Sequence, residues 1–217
     1  MKIHLIGKEN SLLLHYLAEI RDRSIQKDRM RFRRNIERIG EILSYELSKE
    51  LNYKSVCVKT PLGEKETASL KDEIVICSVL RAGLPLHLGV LNYFDHADNA
   101  FISAFRKKNA ETDELEIQME YLAAPDLQGK TLLLVDPMLA TGMSLTAVFE
   151  ALKRKGHPRE IHIIVTIASQ SGIDYLENML PENTHLWIAD IDPVLNENAY
   201  IVPGLGDAGD LAFGPRL

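Results

Sequence analysis

The stretch TLLLVDPMLATGMS, residues 131–144, decides how the chain is read. Thr131 to Val135 is a short apolar run with the length of a buried parallel strand. Asp136 and Pro137 end it, and Thr141, Gly142 and Ser144 form a small polar turn. Ser144 is the expected N-cap of a helix from Leu145 to Lys155. Leu145, Val148, Phe149 and Leu152 would give that helix its apolar face, and Gly156 stands where a C′ glycine belongs. The amides of a helix start point at an anion, and the helix dipole adds about half a positive charge there. Thr141 and Ser144 offer hydroxyls beside those amides. Asp136 falls at the carboxyl end of the strand, where ligands of open α/β sheets bind. An acid repels phosphate but suits sugar hydroxyls, so acid and anion turn together point to a sugar phosphate. The same pattern also serves as plain scaffold in α/β proteins, and this stretch alone leaves both readings open. The turn carries no lysine, so it is not a Walker P-loop.

The other segments arrange themselves around it. Ile74 to Leu80 is a second apolar run, expected as a central strand, and Arg81, Ala82 and Gly83 follow directly. An arginine there can hold a polyphosphate, or simply occupy a surface turn. Further strands are expected at Ser55–Thr60, Ala100–Phe105, Glu116–Leu122, Ile161–Ala168 and Thr184–Ala189. Helices are expected at Leu84–Phe94 and through Met179. Pro61 to Gly63 reads as a turn, Glu64 to Lys71 as a polar connection, and Asp190 to Pro193 as a loop. The alternation from Ile74 onward predicts an α/β fold, a mostly parallel sheet covered on both faces.

At the N-terminus, Met1–Gly7 is a candidate strand, and Ser11–Ile20 a short helix with Leu12, Leu13, Tyr16 and Leu17 inward. The arginine-rich segment Arg21–Arg34 runs into an amphipathic helix with Met30, Phe32, Ile36, Ile39, Leu43 and Leu47 at core spacing. It reads as a solvated helix face or a subunit contact rather than a nucleic-acid patch. Bulk properties agree. The 217 residues suit one α/β domain, and the net charge of −6 argues against general nucleic-acid affinity. No apolar run approaches membrane-spanning length and no signal-peptide pattern opens the chain, so no membrane partner and a cytoplasmic setting are expected. Cys57 and Cys77 lack metal-ligand spacing and are expected as buried free thiols. The histidines are scattered, and none is assigned to catalysis or metal.

Three segments resemble one family. Residues 135–142, VDPMLATG, are similar to the phosphoribosyl diphosphate (PRPP) loop of type I phosphoribosyltransferases, and of uracil phosphoribosyltransferases in particular. Met143 stands where that family usually has a second glycine. Residues 79–84, VLRAGL, resemble its pyrophosphate loop. Residues 200–210, YIVPGLGDAGD, read as its uracil-binding loop nearly letter for letter, with Leu211 in place of the usual Arg or Lys. Composition alone says only that this glycine-rich stretch is an ordered loop. Arg106 matches the arginine of a Tyr-Arg motif, with Phe105 replacing the tyrosine, and Lys107 to Glu111 depart from the pattern.

The resemblance implies a type I phosphoribosyltransferase fold spanning residues 1–217, with a core at about 70–190, a small hood from about 1–60 and 190–217, and a β-hairpin arm. It implies uracil and PRPP as substrates, UMP and diphosphate as products, and Mg²⁺ chelated mainly through PRPP. Arg81, Ala82, Gly83, Arg106, Asp136, Pro137, Met138, Leu139, Ala140, Thr141, Gly142, Met143, Ser144 and Asp207 would then bind PRPP. Tyr200, Ile201, Gly206, Asp207 and Ala208 would bind uracil, mainly through backbone, and Asp136, Arg106 and Asp207 would carry catalysis. A homodimer or larger homo-oligomer, and GTP as a candidate activator, are implied by resemblance alone. Two rivals stay open: an RNA-binding pyrimidine regulator of the same fold, and a catalytically weak nucleotide sensor, motivated by Met143 and Leu211.

Overall fold

The computed structural model describes residues 1–108 and 115–215, with side chains outside 104–117. The chain opens with β1 (Lys2–Leu5), α1 (Leu12–Arg21) and α2 (Arg29–Ser48). A hairpin of β2 (Tyr53–Thr60) and β3 (Gly63–Leu70) follows. Next come β4 (Ile74–Leu80), α3 (Leu84–Leu91), β5 (Asp98–Lys108) and β6 (Leu115–Ala123). Then β7 (Thr131–Val135), β8 (Met138–Leu139), α4 (Met143–Leu152), β9 (Glu160–Ser169), α5 (Gln170–Met179) and β10 (Thr184–Asp192) alternate. Two short strands, β11 (Val194–Leu195) and β12 (Ile201–Val202), and a short helix, α6 (Ala208–Phe213), close it.

The main sheet runs β1-β10-β9-β7-β4-β5-β6, with β8 added on β9. Every pairing in it is parallel except β5 with β6. β4 and β7 are apolar except for Ser78 and Thr131, because both faces of the sheet are covered. Ile74, Ile76, Leu133 and Val135 join the core under α1, α2 and α3. Val75, Cys77, Val79, Leu132 and Leu134 join the core under α4 and α5. Leu133 and Leu134, both fully buried, are each worth roughly 2–5 kcal/mol against alanine. From β4 the chain crosses to β5 on one side, and from β7 to β9 on the other. The carboxyl ends of the neighbours β4 and β7 are therefore a topological switch point, where open α/β sheets place their ligands.

The helices of the first face are tied by a buried carboxylate. Glu19 of α1 accepts from Arg31 Nε at 3.0 Å and from Asn35 Nδ2 at 2.6 Å, both on α2. Those bonds, Arg31 first and Asn35 second, outweigh burial and lower the Glu19 pKa. A lowered folded-state pKa gives stability that is present above the ordinary carboxylate range and lost as pH falls through the folded value. Wild type is therefore expected to lose more thermal stability than Glu19→Gln between about pH 4.5 and pH 3. Melting curves across that window check this, and parallel losses would count against it.

Several expectations need correction. Glu64 to Lys71 is not a polar connection: Gly63–Leu70 is a strand, paired antiparallel with β2 from Tyr53↔Leu70 to Thr60↔Gly63. Nearly all of this hairpin is solvent-exposed on both faces, so no apolar alternation marks it. Cys57 lies on it and is exposed, while Cys77 is buried as expected. Leu12 and Met30, in the first turns of α1 and α2, point outward, each 65% exposed, while Leu13, Leu17 and Ile20 and Phe32, Ile36 and Ile39 take the buried faces. Asp190 to Asp192 continue strand β10, since they still pair with Ile167 to Ser169.

Candidate active site

A cleft of about 540 Å³ lies at the carboxyl ends of β4 and β7, within the range of small-molecule sites. Its floor is Val79 to Ala82, Asp136 and the turn after it, and its roof comes from residues 198–210. The three segments singled out in the sequence thus meet in one cavity.

The turn after β7 is braced by β9 and the start of α5. Asp136 N donates to Ile164 O at 3.2 Å, and Pro137 O accepts from Thr166 N and Ile167 N, both at 3.1 Å. The Asp136 carboxylate accepts from Met138 N at 3.2 Å. Ser169 Oγ donates to Ala140 O at 2.6 Å and accepts from Gly172 N at 2.9 Å. Asp136, Met138, Leu139, Ala140, Thr141, Gly142, Ser144 and Leu145 line the cleft. Pro137 and Met143 do not. Met143 is exposed, so the residue that departs from the family pattern puts no side chain into the cavity.

Ser144 is not the cap of α4. The helix begins at Met143, and its N-cap is Gly142, with φ +79°. Gly142 O accepts from Thr146 N at 3.0 Å and from Thr146 Oγ1 at 3.1 Å. A Cβ on Gly142 would come within 2.8 Å of Tyr175 Cδ1 and 3.1 Å of Gly172 O. Left-handed backbone and packing together demand glycine here. Gly142→Ala is expected to cost about 1–3 kcal/mol and to weaken the binding of a phosphate-bearing ligand at this turn; unchanged melting and binding would refute it.

Arg81 leaves β4 and reaches the C-terminal segment. Its Nη2 donates to Asp210 Oδ1 at 2.9 Å and to Gly214 O at 3.0 Å. Its Nε is buried and meets no acceptor among the described residues. Ala82 lines the cleft, but Gly83 lies behind it, where a Cβ would meet Val79 O at 2.6 Å and Val135 O at 2.9 Å. Gly83 thus serves the close approach of β4, β7 and α3. Arg106 lies in β5 opposite Ile117. Its side chain lies outside the described residues, as do Asn109, Ala110 and Glu111 of the stretch that departs from the family pattern.

Tyr200, Ile201, Gly206, Asp207 and Ala208 all line the roof. The expected loop ends in a helix: Asp207 caps α6, its carboxylate accepting from Asp210 N at 2.9 Å. Asn198 and Ala199 also line the cleft and were not singled out in the sequence. The Asn196 side chain there accepts from Asn198 N and Tyr200 N, a turn for which the two asparagines are the sequence signal. The roof is clamped from below by Arg21. Its guanidinium donates to Asp192 at 2.8 and 3.0 Å, to Asp190 at 2.8 Å and to Gly204 O at 2.9 Å. Gln26 Nε2 adds a bond to Leu205 O at 3.2 Å. Asp190 and Asp192 alternate on one strand and so share a face, which was the available signal.

Among the described residues the cleft carries Asp136, Asp207 and Asp210 against the guanidinium of Arg81. Such a site takes a polyanion through backbone amides and with its own counter-charge, and it takes hydroxyls through the carboxylates.

Known proteins agree with this geometry. The uracil phosphoribosyltransferase family model matches residues 7–215. A uracil phosphoribosyltransferase of Porphyromonas gingivalis is 51% identical over 217 residues, the whole of both chains. One from Pyrococcus furiosus is 36% identical over 210 residues, covering 95% of this chain and 88% of its own. The solved AQ2163 protein of Aquifex aeolicus superposes with a TM-score of 0.83 at 31% identity, covering 98% of each chain. With the family model spanning nearly the whole sequence and half the residues shared with a full-length relative, the chain belongs to the uracil phosphoribosyltransferase family.

Proposed function

We propose that this chain transfers the phosphoribosyl group of PRPP to N1 of uracil, giving UMP and diphosphate, a pentosyl transfer of pyrimidine salvage. The observation that carries the reading is the meeting of residues 79–82, 136–144 and 198–210 in one cleft at the switch point of the sheet. The amides and hydroxyls around Thr141 to Ser144, at the start of a ten-residue helix, take the 5-phosphate. Asp136 holds ribose hydroxyls and faces the positive charge that develops on the ring as the anomeric C–O bond breaks. Arg81, with Ala82 and Arg106, takes the leaving diphosphate. Main-chain groups of Ile201, Gly206 and Ala208 match the two carbonyls and the N3–H of uracil. Cytosine would set two donors face to face there, a mismatch worth about 10⁴-fold. Asp207 meets both substrates. Catalysis is then mostly positioning and electrostatics.

The carboxylates of Asp136 and Asp207 are hard oxygen donors suited to Mg²⁺ carried in on PRPP, which when bound neutralises diphosphate charge. No helix among the described residues is long and apolar enough to cross a membrane, and a cytoplasmic setting is the reading we adopt. The domain reading is one unit: a core at about 70–190 and a hood from about 1–60 and 190–217, apart from β1, which belongs to the main sheet.

The arm formed by β2 and β3 is the surface we assign to a second copy of this chain. It pairs only within itself among the described residues, and Leu62 at its tip is fully exposed. A hairpin alone is marginal in water. Replacing residues 54–69 by a short glycine–serine turn is expected to shift the sedimentation coefficient to that of a monomer. An unchanged oligomer, or a monomeric wild type, would refute this.

The test of function is UMP formation from uracil, PRPP and Mg²⁺, beside cytosine, orotate and hypoxanthine, with and without GTP. Turnover with uracil alone is expected. Tight uracil or UMP binding without turnover would favour the sensor reading.

A further inference from the structure

The amino ends of the strands, opposite the cleft, carry a cluster that the reaction does not use. Across the parallel ladder Lys2 pairs with His185 and His4 with Trp187, while His162 pairs with His185 from β9. These side chains therefore share one face of the sheet at its edge. His4 Nε2 stands 3.2 Å from His185 Nδ1. Glu50, just past the end of α2, adds a carboxylate, and one ligand atom from each of the three residues lies within 4.8 Å of the others.

We infer that His4, Glu50 and His185 form a binding site for a divalent cation of the zinc class, with water as the fourth ligand. Two imidazoles and a carboxylate are a donor set that suits zinc and ill suits Mg²⁺. Zinc bonds of about 2.0–2.1 Å in a tetrahedron set neighbouring ligand atoms roughly 3.3 Å apart. The histidine pair already has that spacing; binding displaces the proton shared between the two nitrogens and turns the Glu50 side chain inward. The rings are also pre-set. Trp187 stacks on His4 at 3.7 Å between centroids and 8° between planes, and its Nε1–H donates to buried His162 Nδ1 at 3.1 Å.

Charges around the cluster act both ways. Glu50, Glu160 and the carbonyl end of α2 favour a cation, whereas Lys2 and the chain's amino terminus oppose it. Lys2 Nζ holds Glu50 Oε2 at 2.7 Å, but both side chains are largely exposed, and an ion pair of that kind is weak and readily exchanged.

Trp187 is the chain's single tryptophan and touches the site, which supplies the readout. Whole protein is titrated with Zn²⁺ alone while tryptophan fluorescence is followed, with calorimetry for stoichiometry. A saturable change at one Zn²⁺ per chain is expected, undisturbed by excess Mg²⁺, and Co²⁺ should give the visible bands of a four-coordinate ion. Glu50→Gln and His4→Gln are each expected to weaken binding about tenfold or more, while His96→Gln leaves it unchanged. Glu50 is at the surface, so its variant decides the matter even if His4→Gln fails to fold. No saturable fluorescence change in wild type, or binding that survives Glu50→Gln at full strength, would overturn the site.

Discussion

Asp136→Asn is expected to lower kcat for UMP formation by about 10²- to 10³-fold while the protein folds and melts as before. Folding is expected to survive because the side chain accepts from Met138 N, and an asparagine oxygen can accept the same bond. The backbone contribution, Asp136 N to Ile164 O, is untouched. What the substitution removes is a negative charge. That charge sits at the carboxyl end of β7, in the cleft, beside the turn proposed to take the 5-phosphate. Breaking the anomeric C–O bond leaves positive charge on the ribose ring, and a fixed carboxylate next to it stabilises the transition state more than the ground state. The loss should therefore fall on kcat, with the KM for uracil nearly constant, since the proposed uracil site lies under the roof. Steady-state kinetics with both substrates varied separate these outcomes. A loss smaller than about tenfold, or one confined to KM, would remove Asp136 from the catalytic role.

The reach of the sequence follows from burial. β4 and β7 were legible because a strand covered on both faces is near-continuously apolar, and Ile74 to Val79, but for Ser78, and Leu132 to Val135 obey that. The glycine turn was legible too, because φ +79° at Gly142 excludes most other residues. The exact cap was not: Ser144 has the right chemistry, but the left-handed residue two places earlier sets where the helix starts. β3 was illegible because nothing covers either face, so Glu64, Lys65 and Glu66 are polar in a strand that only its pairing with β2 defines. The cleft's own residues were found through three local signatures. The clamp beneath the roof was missed, since Arg21 lies 169 to 171 positions from its carboxylate partners and only the fold brings them together.

That clamp yields the second large effect. Arg21→Ala is expected to destabilise the protein by about 3–5 kcal/mol, a fall in Tm of roughly 6–20 °C. The Asp192 side chain is only 6% exposed, and Arg21 meets both of its oxygens. Removing the guanidinium leaves that carboxylate buried beside Asp190 with no cation. The same loss frees the roof. Gly204 O accepts from Arg21 at 2.9 Å, and Gly204 N donates to Asp192 at 3.1 Å, so the clamp holds the peptide groups on both sides of Gly204 in the loop from Ile201 to Gly206. Loosening charged hydrogen bonds worth about 1.5–3 kcal/mol should raise the KM for uracil roughly ten- to hundredfold, with the KM for PRPP less affected. Arg21→Lys should not rescue it, because one ammonium cannot reproduce the fork that spans two carboxylates and a carbonyl. Pairing Arg21→Met with Asp192→Asn separates the two consequences. It removes the uncompensated charge, so much of the stability should return, but the bonds from Arg21 stay broken, so the KM for uracil should stay high. If stability and uracil KM instead recover together, Arg21 acts only on folding. If neither moves in Arg21→Ala, the roof is held by Gln26 and the cleft walls alone.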